Sequence, residues 1–195
     1  MKFSTTIYLG FISLLTPTLA IPTPSISMPL GSEGSMHVKG PVVPGGPNMD
    51  FDGTVEEVIE KMGEMNPEWE RQQGPGKALE SRYWRGAPKC VNIGGKGALA
   101  HRIDEGVRHL EGLGSRICSA PASDCSRVSC SYGSAIFLCS NRDRPADVPC
   151  ERIGAAAKRI REDCTDPAFT FFGNYVDGHW IDTDGYAVYV RDGNC

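Results

Sequence analysis

Four short patterns in this 195-residue chain carry residue types that could do chemistry. His101, Glu105 and His109 recur every four residues, so a helix would carry them on one stripe. Two imidazoles and a carboxylate can ligate zinc or exchange protons. A metal site wants closer ligands and a third element, however, and the same stripe suits a solvated helix face stabilised by His–Glu contacts. Asp177, Asp182 and Asp184 offer calcium-type oxygens, yet Gly185 comes too early and no glutamate follows to complete a calcium loop. A turn accounts for them. Gly94-Gly95-Lys96-Gly97 outlines a phosphate cradle but lacks the Gly-Lys-Ser/Thr ending. His179 and Arg191 are of the type that a guanyl-specific ribonuclease gathers on its sheet, together with a glutamate base. No glutamate occurs after Glu162, and no Gly-x-Ser-x-Gly elbow is present. The expected protein is therefore not an enzyme, and it is assigned no catalytic residue, metal or cofactor.

Sulfur has a simpler explanation. Cys90, Cys118, Cys125, Cys130, Cys139, Cys150, Cys164 and Cys195 all fall in the last 106 residues. Zinc sites favour close cysteine pairs, whereas an even count in a region of this size implies a disulfide framework formed in an oxidising compartment. Spacing alone does not choose among the possible pairings. The N-terminus agrees with that compartment. Lys2, the apolar stretch Ile7 to Leu15, Pro17, Thr18 and Ala20 have the order of a secretory signal peptide, 1–20, cleaved after Ala20. The apolar stretch is too short to cross a bilayer core of about 30 Å. The expected product is secreted and extracellular, without a membrane span. Its formal charge of −4 becomes −5 once Lys2 leaves, which argues against nucleic acid as a partner.

Hydrophobic periodicity then supplies the elements. Residues 21–53 are rich in proline and glycine and are expected to form a disordered linker. Thr54 to Met65 predicts a short helix, opened by a Thr54/Glu57 capping box and stopped by Asn66-Pro67. The segment 54–89 is expected to lack a core of its own, so proteolysis should remove 21 to about 85 quickly. In the cysteine-rich region, 90–195, strands are expected at Cys90–Ile93, Arg116–Cys118 and Val128–Cys139, the last read as one buried strand. Helices are expected at Ala98–Leu113 and Cys150–Cys164. The second of these carries Ile153, Ala156, Ala157 and Ile160 on one stripe. Tyr175–Ile181, an Asp182-to-Gly185 turn and Tyr186–Val190 read as a hairpin. The expected fold is α+β: a disulfide-stabilised two-layer sandwich of a mainly antiparallel sheet and two helices, with a disordered N-terminal extension.

Three stretches carry a resemblance: Cys130 through Ala135-Ile136-Phe137-Leu138-Cys139, then Cys150-x-x-Ile153 to Cys164, then Val176 to Val190 closing on Cys195. They resemble cysteine-rich secreted fungal effectors and, more distantly, the smut-fungus killer toxin family. That resemblance implies a compact α/β sandwich and a virulence or killing role exerted on other cells, in the toxins through calcium channels. The toxins' basic surface has no counterpart here, since residues 90–195 hold 12 basic and 14 acidic side chains. The expected function is non-enzymatic binding to a host or competitor-cell protein, or to a cell-wall glycan, by a monomer. The alternatives are a guanyl-specific-type ribonuclease and a cell-wall carbohydrate-binding protein. Candidate contact residues are His179 and Trp180 near the hairpin turn, and Tyr83 and Trp84 before the core. All are of types enriched at, or suited to, interfaces.

Overall fold

The computed structural model describes residues 34–69, 84–91, 97–166 and 173–195. Gly34–Ser35 (β1), His37–Pro41 (β2) and Asn48–Asp52 (β3) precede a helix, Val55–Met65 (α1). The Thr54 backbone N–H donates to Glu57 Oε2 at 2.8 Å, and Val55, Val58 and Met62 form the buried stripe of α1. Lys89–Cys90 (β4) and Ala98–Leu99 (β5) lead to Ala100–Leu113 (α2). Then come Ile117–Ala120 (β6), Cys125–Ser131 (β7), Ser134–Ser140 (β8), Ala146–Pro149 (β9) and Cys150–Cys164 (α3). The chain closes with Thr165–Asp166 (β10), Tyr175–Val176 (β11), Gly178–Ile181 (β12) and Tyr186–Asp192 (β13).

A six-stranded sheet of order β1-β7-β8-β13-β12-β4 is antiparallel except for the β1–β7 pair. An antiparallel four-stranded sheet runs β3-β2-β6-β9, and β10-β11-β5 form a third. Helices α2 and α3 pack against each other and on the inner face of the large sheet. Two glycines permit that closeness. A Cβ on Gly106 would lie 2.3 Å from Ser129 Oγ, and one on Gly154 would lie 3.2 Å from Leu110 Cβ. Ile103, Leu110, Ile136, Leu138, Ile153 and Ile160 fill the layer between, all essentially inaccessible to water. The class is α+β, as expected, with α1 as a further helix beside the two of the cysteine-rich region.

Two expectations need correction. The described part of the supposed linker, from Gly34 on, is folded. Met36, Val38, Val42 and Phe51 are buried in the same core as α2 and α3, and Val38 pairs with Cys118 across β2 and β6. Its prolines and glycines sit at strand ends and turns while the apolar residues between them find long-range partners. The α1 segment likewise has no separate core because it shares this one. Glu56 of α1 accepts a hydrogen bond from Ser129 Oγ at 2.5 Å, and Arg116 of the α2–β6 turn donates to Pro41 O and lies over the Trp69 ring at 4.2 Å. Secondly, Val128–Cys139 is two strands. Tyr132 and Gly133 both have positive φ, 49° and 73°, the two-residue turn that matches the twist of a tight hairpin.

All eight cysteines are bridged. Cys90–Cys164 ties β4 to the end of α3, and Cys118–Cys150 ties β6 to its start. Cys125–Cys139 joins residues directly opposed on β7 and β8, and Cys130–Cys195 anchors the C-terminus to β7. Four bridges in a domain of this size fit an extracellular protein. No helix among the described residues is long and apolar enough to cross a membrane.

Candidate functional site

Trp84 and Trp180 meet at one end of the large sheet. Alternation along β12 turns Trp180 inward, where it stacks on Trp84 with ring centroids 4.9 Å apart. Tyr186 meets Trp84 edge to face at 5.6 Å. Trp180 is 7% exposed, and its indole N–H donates to the carbonyls of Arg85 and Gly86 at 3.3 and 3.1 Å. It is thus a packing residue that holds the 84–86 segment, while Trp84 above it is half-buried and reachable. Tyr83 lies outside the described residues.

Beneath the aromatic group is an ion pair. Arg152 of α3 donates from Nη2 to Asp182 Oδ2 at 2.7 Å, and Asp182 is fully buried. The other carboxylate oxygen accepts the Asp184 N–H at 2.7 Å and so shapes the β12–β13 turn. The Asp182 carboxylate is therefore committed to an arginine and to the turn. Burial, and then the charge of Asp182, push the Tyr186 hydroxyl pKa upward, so that group stays protonated. Beside this cluster opens a cleft of about 460 Å³, lined by Ser140, Arg142, Arg144, Asp147, Arg152, Asp184 and Tyr186 among others. Its size suits a small ligand or an inserted side chain. Ser119 Oγ donates to Asp147 at 2.6 Å, and Arg142 Nη2 reaches the Thr183 carbonyl at 3.5 Å. Arg142, Arg144 and Arg152 line it together with Asp147 and Asp184, so the cleft presents hydrogen-bond donors and acceptors together.

His179 is on the other face. It stacks on Tyr189 at 5.0 Å, and burial, followed by the charge of Lys89, lowers its pKa. The structure therefore separates His179 from the two tryptophans, because adjacent strand residues point to opposite faces. Asp177 lies between β11 and β12, where Arg191 and Asp192 are its charged neighbours, while Asp182 and Asp184 shape the β12–β13 turn, so the three aspartates form no metal-binding group.

The helix stripe also divides. Glu105 pairs with Arg102 at 2.9 Å, and His101 is exposed. His109 Nδ1 lies 3.7 Å from Glu56 Oε1. Burial pushes the Glu56 carboxyl up, but the nearby His109 imidazole and the hydrogen bond from Ser129 outweigh it and the pKa falls below the ordinary value. Among the described residues no three His, Cys, Asp or Glu side chains form a metal-binding group. Of the glycine-rich motif, only Gly97 lies within the described residues.

Sequence reasoning missed Arg152 and Asp182, whose pairing spans α3 and the hairpin turn, and Tyr132. Tyr132 is 76% exposed at the β7–β8 tip, where the Arg102 guanidinium lies 4.0 Å from its ring centroid. Only the Gly133 that follows it hinted at a turn, since tyrosine is not a turn-forming type. Fold and site together define a disulfide-bridged α+β protein with a polar cleft beside an aromatic cluster. No protein-family model matches the chain, and no curated protein or solved structure matches it either.

Proposed function

We propose that this is a secreted protein of effector or killer-toxin-like type whose cleft end binds a component of a host or competitor cell. The observation that carries the reading is a polar cleft lined by Tyr186 and by Arg152, whose pair with Asp182 braces it, with the half-buried Trp84 packed edge to face on Tyr186 beside it. An aromatic anchor beside pre-set donors and acceptors suits recognition, because little side-chain freedom remains to be lost on binding. Arg152 and Asp182 are closed on each other, and Asp147 and Arg142 are held by Ser119 and the Thr183 carbonyl, which suits holding a partner better than turning one over. A protein target and a wall glycan both fit this chemistry.

Fluorescently labelled protein, with its bridges intact, tests the proposal on chitin and β-glucan particles and on intact cells before and after protease treatment. Saturable binding is expected, with Trp84→Ala and Arg144→Glu each weakening it about tenfold, as for a contact worth somewhat over 1 kcal/mol. Loss of binding after protease treatment would identify a protein target, and retention on purified polymer a glycan. Absence of saturable binding, or full binding by both variants, would overturn the reading.

A further inference from the structure

The cleft beside Tyr186 carries charge that the fold does not neutralise. Arg142 and Arg144 reach it from the loop between β8 and β9, and Arg152 from the first turn of α3. The three are not equivalent. Arg152 is closed on the buried Asp182 at 2.7 Å, so this pair braces the cleft and adds no net charge to it. Arg142 donates to the neutral Thr183 carbonyl at 3.5 Å, and the Arg144 side chain is exposed. Asp147 accepts from Ser119 with one carboxylate oxygen, and Asp184 lines the same space. Among the described residues, none of Arg142, Arg144, Asp147 and Asp184 forms an ion pair.

The loop that presents Arg142 and Arg144 is fixed by its own hydrogen bonds. Ser140 is 5% exposed, and its hydroxyl donates to Arg144 O at 2.7 Å while accepting the Arg142 N–H at 3.3 Å. The Ser123 N–H donates to Arg142 O at 2.7 Å, and the Asn141 N–H donates to Gly185 O at 3.0 Å. Gly185, with φ of 81°, also lets the Arg142 side chain lie against the β12–β13 turn, since a Cβ there would come within 2.1 Å of Arg142 Nε. A backbone held in this way has little freedom left to lose on binding.

These features select a ligand. Guanidinium groups match carboxylate, sulfate and phosphate oxygens with paired N–H donors. The two carboxylates oppose a ligand of densely packed negative charge, such as polyphosphate, but accept hydrogen bonds from hydroxyl groups. Pro145, Val148, Pro149 and Tyr186 add apolar wall along which the C–H face of a sugar ring can lie. A volume of about 460 Å³ is that of a small-molecule site rather than of a lone ion. We infer that the cleft binds an anionic glycan, a saccharide chain whose carboxylate, sulfate or phosphate groups are separated by neutral hydroxyls. Arg142 and Arg144 take the anionic group, and Asp147 and Asp184 take hydroxyls beside it. The inference rests on the binding role proposed for this end of the molecule and narrows its ligand.

Calorimetric titration of the bridge-intact protein tests it with matched oligosaccharides: oligogalacturonate and its methyl ester, sulfated and plain dextran, phosphorylated and plain mannan. At least one charged oligomer is expected to bind about tenfold tighter than its neutral counterpart, and the pair that shows the difference identifies the anion. Arg144→Gln and Arg142→Gln should each weaken that binding about fivefold or more, with native circular dichroism and no free thiol. Lys158→Gln removes an exposed charge of α3 outside the cleft lining and should change it by less than about twofold. Equal affinity within every pair, no binding of any charged oligomer, full binding by either cleft variant, or an equal loss with Lys158→Gln would overturn the inference. The proposed binding role falls only if the labelled protein also fails to bind cells and wall particles, so the two failures are told apart.

Discussion

Asp177 illustrates how a single side chain can be kept against the interest of stability. Its carboxyl is buried beside one arginine that only partly offsets the desolvation, so the fold favours its neutral form. The consequence for pH follows from the sign. With a folded pKa raised from 3.8 to about 6, the group favours folding below 3.8, and that contribution is lost as pH rises through 6. At pH 7 the ionised group therefore costs stability. Asp177→Asn is expected to gain about 2 kcal/mol at pH 7, after allowing for solvent screening near Arg191, and to gain almost nothing below pH 4. Urea unfolding at the two pH values measures the difference. An equal effect at both would mean that charge burial is not the cause. Arg152 and Asp182 show the opposite case, a buried charge fully matched by its partner at 2.7 Å.

The elements most dependent on tertiary contacts are β2, β3 and α1. An isolated eleven-residue helix is marginal in water, and α1 persists because Val55, Val58 and Met62 reach the common core. Met62→Ala should therefore lower stability by about 2–5 kcal/mol, as for other fully buried apolar truncations. It should also make the bond after Lys61 sensitive to trypsin under native conditions. Unchanged stability and protection would show that α1 is not held by this contact. The helix α3 was legible to its last residue, because Ile153, Ala156, Ala157 and Ile160 repeat at helical spacing between two cysteines. The β7–β8 hairpin was not, because its turn uses Tyr132 where the usual signal is asparagine or aspartate before glycine.

At the scale of the whole molecule, four bridges close loops of 14, 32, 65 and 74 residues. Their entropic effect on the unfolded chain grows slowly with loop length. Replacing Cys130 and Cys195 by serine is expected to cost about 4 kcal/mol. The same change at Cys125 and Cys139 should cost about 3 kcal/mol, with both measured from denaturant midpoints. A reversed order would assign the bridges' effect to native-state packing rather than to chain entropy. The bridges also fix the relation between the two faces, since Cys90–Cys164 and Cys130–Cys195 hold the edges of the sheet that separates them.

The amino-acid sequence by itself determined the α+β class, the two helices of the cysteine-rich region, the terminal hairpin and the presence of a disulfide framework. These depend on local periodicity, turn chemistry and cysteine count, which are written along the chain. Tertiary structure alone decided the bridge partners, the folding of 34–69 onto the core and the Arg152–Asp182 pair. It also decided the burial that alters Asp177. Each of these depends on groups far apart in the chain meeting at low dielectric, and no spacing within a single segment encodes such a meeting.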